Sequence, residues 1–109
     1  MRIVYINTAA IESHPTFHRV FRRAMGFPDF YGANMDAWLD CMSSIDDPAA
    51  GLSEITVAPG ELLVLEIPDS LDFAYRCPDI WQDLLECCAF VNQRRIDRGQ
   101  PSVLTLLLR

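Results

Sequence analysis

Asp36 and Asp40 stand four residues apart in the segment MDAWLDC, so on a helix their carboxylates share one face. Ser43, a further turn along, extends that polar side. Two carboxylates so placed can work as a general acid and base, or can present fixed negative charge to a cationic partner. Catalysis needs a pocket that raises one of the two pKa values, and neighbours on an acidic helix surface are well solvated. With no cation nearby in the sequence, their repulsion mildly destabilises the helix, which suggests that the face has another use. His14 and His18 share the same spacing but supply half a metal site at most, since no nearby carboxylate or thiol completes one. A satisfied structural role is expected for His18. Cys41, Cys77, Cys87 and Cys88 show no CxxC spacing, and on a helix adjacent Cys87 and Cys88 diverge, so reduced, buried core thiols are expected. There is no glycine-rich phosphate loop and no basic patch interleaved with aromatics. The residues therefore predict no enzyme, no cofactor, no metal and no direct nucleic-acid binding.

Charge is distributed unevenly. The formal net charge is −6, and all nine basic residues are arginines: Arg2, Arg19, Arg22, Arg23, Arg76, Arg94, Arg95, Arg98 and Arg109. Between Arg23 and Arg76 lies no cation, while that stretch holds ten of the fifteen acids. Such segregation favours a basic protein partner and repels nucleic acid, although a solvated acidic face that aids solubility gives the same pattern.

At 109 residues, half of them hydrophobic, the chain fits a single globular domain spanning 1–109. The first ten residues lack the continuous apolar core of a signal sequence, and no apolar run reaches membrane-spanning length, so a cytoplasmic location is expected. RIVYI (2–6) reads as a strand. Ser13 and Pro15 open a helix whose stripe is Phe17, Val20, Phe21, Ala24 and Met25, and which Gly26 and Pro28 stop. Asn34 or Asp36 starts a second helix with Met35, Trp38, Leu39 and Met42 inward. Residues 44–61 form a loop, with a turn of structure expected near 52–57. LLVLEI (62–67) has the apolar continuity of a strand buried on both faces. Asp69 and Ser70 cap a short helix over 71–76, and Pro78 opens a longer one with Ile80, Leu84, Cys87, Cys88 and Val91 buried. Arg94, Arg95 and Arg98 suit its C-terminus. VLTLLL (103–108) closes the chain as a strand. The order β–α–α–β–α–α–β implies an α/β domain with a small parallel sheet covered by helices.

The run Phe30-Tyr31-Gly32-Ala33-Asn34-Met35-Asp36-Ala37-Trp38-Leu39-Asp40-Cys41 resembles the hallmark segment of the barstar family, of the form [YF]YGxNxDAxxDC. Pro28 before it, the FHRVF segment with His18, the LLVLE strand and the closing strand follow the family order, so the resemblance covers most of the chain. It implies a three-stranded parallel sheet packed with about four helices. It also implies a proteinaceous inhibitor or immunity protein that occludes a ribonuclease active site, with acids in place of substrate phosphates. Its partner would be a basic extracellular-type ribonuclease or a polymorphic-toxin nuclease. By resemblance Asp40 is the phosphate mimic and Asp36 supports it. Tyr31 packs its ring against the catalytic groove with Phe30 beside it, and Gly32 allows close backbone approach. Asn34 caps the helix and reaches the partner, while Leu39 and Ser43 complete the partner-binding set. Phe30 stands for a more usual tyrosine, Trp38 and Leu39 are in reversed order, and the 44–61 loop is longer than the family minimum. The family's late carboxylate on the last helix has no unambiguous counterpart around Glu86 to Asp97. The alternative is an acidic regulatory protein of the same fold that binds a basic partner other than a ribonuclease.

Overall fold

A computed structural model describes residues 1–109. Three parallel strands, β1 (Arg2–Tyr5), β2 (Leu63–Ile67) and β3 (Leu104–Leu108), form a sheet in the order β1-β2-β3. The first crossover carries α1 (His14–Met25) and α2 (Met35–Ser43), and the second carries α3 (Ser70–Arg76) and α4 (Pro78–Asp97). The α/β architecture with a three-stranded parallel sheet and four helices is thus as expected.

Register separates the two sheet faces. Val4, Leu65 and Leu106 are aligned across the strands, as are Leu63 and Leu104. This face, with Ile67, meets the core helices through Phe17, Phe21, Trp38, Phe73, Leu84 and Val91. On the other face Ile3, Val64 and Thr105 are aligned, and Ile3, Tyr5 and Thr105 are exposed. The helices therefore cover one face only, as same-handed crossovers in sequential strand order require. This corrects the expected fully covered sheet. Val64 is still buried because it lies on the central strand, shielded by its neighbours.

Local chemistry sets the helix ends. Ser13 Oγ accepts the Thr16 amide while Thr16 Oγ1 accepts the Ser13 amide, a reciprocal cap that starts α1. Gly26 ends it at φ 68°, and a Cβ there would meet Glu54 Cβ at 2.6 Å. Asp69 does not cap α3: it sits at φ 47° and its side chain makes no cap hydrogen bond. The Ser70 amide instead donates to the Arg109 carbonyl at 2.8 Å, so α3 begins one residue early, docked on the end of β3.

The 44–61 segment is anchored more firmly than its composition implies. Its one helical turn, a 3-10 turn, falls at Pro48–Ala50 rather than near 52–57, where Asp47 accepts the Ala49 amide. Ile45 and Val57 are buried and joined by a 3.0 Å backbone hydrogen bond. Ser53 Oγ and the Glu54 and Ile55 amides all donate to the Met25 carbonyl. That satisfies the last carbonyl of α1 and pins the loop to the end of that helix.

Candidate functional site

The turn before α2 is held from below. His18 is buried, and its Nδ1 shares a 2.5 Å hydrogen bond with the Tyr31 hydroxyl. Burial, and secondarily His14, lowers the His18 pKa, so the ring is neutral at pH 7. Burial also raises the Tyr31 pKa. The Tyr31 ring packs on Phe27 with centroids 4.7 Å apart. Tyr31 is therefore half-buried with its hydroxyl turned inward, whereas Phe30 is 77% exposed. The aromatic that stands free on this turn is Phe30.

Gly32 and Asn34 bracket the one strained position of the turn. Ala33, not Gly32, adopts the left-handed conformation, at φ 52°. Asn34 Oδ1 accepts the Ala37 amide at 2.8 Å and so is the cap of α2. From that cap α2 directs Trp38, Cys41 and Met42 into the core. Trp38 is fully buried, edge-on to Phe21 at 5.6 Å, and its indole N–H has no partner. Leu39, next to it, is half-buried at the surface. Asp36 and Asp40 are both exposed, the Asp40 side chain at 72%. The structure thus brings Phe30, Gly32, Asn34, Asp36, Leu39, Asp40 and Ser43 onto one continuous turn and helix, with Tyr31 beneath.

Helix α4 contributes cations that no sequence neighbour announces. The Arg94 Nη1 lies 3.5 Å from Asp40 Oδ1 and donates to Ser43 Oγ at 3.4 Å. Arg95 is buried and grips Asp46 with two hydrogen bonds, at 3.0 and 2.7 Å, and donates to the Ser43 carbonyl. The Arg95 hydrogen bonds hold the Asp46 carboxyl below its usual range. Two expectations change. The acidic helix does have cations nearby, and Arg95 is a buried tie between α2 and α4 rather than a solvated helix-end charge. A spacing of Phe90, Arg94 and Arg98 at every fourth residue was the only sequence signal, and it gave no link to α2.

The remaining chemistry-bearing groups serve the fold. His14 Nε2 pairs with Asp83 at 2.9 Å and His18 with Tyr31, so the two rings turn to different partners. Burial pushes the Cys88 thiol up to about 12 and also raises Cys41 and Cys87. Cys87 is half-buried rather than buried, a small departure from the expected core set. No helix is long and apolar enough to cross a membrane.

A family model described as Barstar (barnase inhibitor) matches residues 1–107 of the 109. The chain belongs to the barstar family. As a barstar-family protein it is barnase-inhibitor-like, and its family is one of inhibitors rather than enzymes, with a ribonuclease as the implied partner. No curated protein matches the sequence.

Proposed function

We propose that this protein inhibits a basic ribonuclease by seating the 30–43 turn and helix in its active site. The exposed carboxylates of Asp36 and Asp40 stand in for substrate phosphates. The observation that carries this is the presentation of Asp40. It projects from a helix whose opposite side is locked in the core by Trp38, Cys41 and Met42, so little backbone order remains to be lost on binding. A ribonuclease site gathers cations to hold the scissile phosphate, and a rigid carboxylate satisfies those cations without offering a bond to break. Phe30 supplies exposed aromatic surface beside the carboxylates, suited to the place of a stacked base. The cell interior is the fitting location for a protein that protects its producer against such an enzyme.

The test is a cleavage assay of a barnase-type ribonuclease on a short RNA with increasing amounts of the protein. Loss of activity at stoichiometric addition is expected, and excess of a nucleotide phosphate should displace the protein from the ribonuclease in a binding assay. Full ribonuclease activity at saturating protein, across several such enzymes, would contradict it.

A further inference from the structure

The cation beside Asp40 determines what else the partner must carry. Arg94 is held in place by three groups from two helices: Asp40, Ser43, and the Phe90 ring, whose centroid lies 5.0 Å from the guanidinium carbon. Arg98 follows one turn later, at the C-cap of α4, exposed and without an ion-pair partner. Phe90, Gln93, Arg94, Asp97 and Arg98 line a shallow depression of about 300 Å³. The single acid there, Asp97, accepts a hydrogen bond from Gln93 and keeps its charge, so the two arginines outnumber it. Phe90 is half-exposed on its floor. Along the seam of α2 and α4 the sign of the charge therefore changes within one hydrogen-bond length. Asp36 and the free oxygen of Asp40 offer negative charge, while Arg94 and Arg98 offer positive charge.

A partner surface made only of cations would meet Asp40 correctly and Arg94 wrongly, and like charges brought together in a desolvated contact oppose binding. Resting on the reading of α2 as the inhibitory face, we propose that the ribonuclease carries an Asp or Glu on the rim of its cationic site, placed to pair with Arg94 and Arg98. Arg94 then acts as a specificity residue: it admits ribonucleases with that rim acid and disfavours those without it. Because Arg94 is already oriented by Asp40, Ser43 and Phe90, the pairing needs no rearrangement of α4.

The test uses a panel of catalytically inactivated barnase-type ribonucleases, with affinities measured for the native protein and for D40A, R94A and R94E, each checked by thermal melting. Ribonucleases whose binding D40A weakens define the group that engages the α2 face. Within that group, R94A is expected to weaken binding about tenfold and R94E further. Changing the ribonuclease's rim acid to Arg should restore binding to R94E. If R94A and R94E leave binding unchanged or tighten it for every member of that group, the rim-acid proposal is overturned while the α2 reading stands. If D40A weakens binding to no ribonuclease, the α2 reading fails and the proposal fails with it. Binding of a short single-stranded RNA that R94E abolishes would also overturn it, by assigning the two arginines to phosphate.

Discussion

Ala33 and His18 are the residues that set the shape of the turn, one by strain and one by burial. A left-handed alanine costs roughly 1–2 kcal/mol, and glycine at the same place removes that cost while adding about 0.4–1 kcal/mol of unfolded-state freedom. Ala33→Gly is therefore expected to stabilise the protein by about 0.5 kcal/mol, read as a shift in the urea midpoint. A loss of stability would show that Ala33 makes contacts that offset its strain. His18 carries a pH signature. Burial depresses its folded-state pKa, so the unfolded chain takes up the proton first as pH falls. Its contribution is fully present above about pH 6.5 and is lost as pH falls through the lowered folded value. Thermal melts between pH 8 and 5 should show that decline in the native protein and a shallower one in His18→Gln. Parallel curves would contradict it. At this scale the sequence was readable wherever the chemistry is local: Ser13 and Asn34 cap the helices they precede. It was not readable for Tyr31, whose inward hydroxyl depends on a histidine thirteen residues earlier, on α1.

The recognition role proposed for helix α2 requires that other elements hold it still. Its start is fixed by Asn34, its inner side by Trp38 against Phe21, and its end by the Arg95–Asp46 pair with the Ser43 carbonyl. Removing one member of a buried ion pair leaves the other uncompensated, at a cost of about 3–5 kcal/mol. Arg95→Ala is expected to destabilise the protein by that order, measured by chemical denaturation. A change below about 1 kcal/mol would mean that solvent readily replaces the pair. Asp46 adds an acid limb. Its folded pKa is depressed, so its stabilisation is present above about pH 4 and is lost as pH falls through the lowered value. Asp46→Asn should flatten that limb. Apolar periodicity located all four helices and all three strands to within a residue or two. The pairing of α2 with α4 was invisible, because Arg95 and Asp46 are 49 residues apart and an arginine near a helix end ordinarily reads as a solvated charge. The open sheet face was hidden for a similar reason: strand order is not written in any single strand.

For the whole molecule, charge is arranged by the fold rather than by the sequence alone. The cation-free stretch from Arg23 to Arg76 contains α2, and folding returns two arginines of α4 to its side. What remains is a protein of net charge −6 with Asp36 and Asp40 on an exposed, rigid face. Attraction at that range is screened over about 10 Å at 0.1 M salt, so association with a basic ribonuclease should slow as salt rises while dissociation changes little. The most direct measurement compares the affinities of Asp40→Ala and Asp47→Ala for one inactivated barnase-type ribonuclease. Each change removes one negative charge, but Asp47 lies beyond the end of α2, capping the 3-10 turn at Pro48–Ala50. A loss for Asp40→Ala at least about tenfold greater than for Asp47→Ala is expected if α2 enters the active site. Equal losses would mean that only net charge matters, and would contradict a site centred on Asp40.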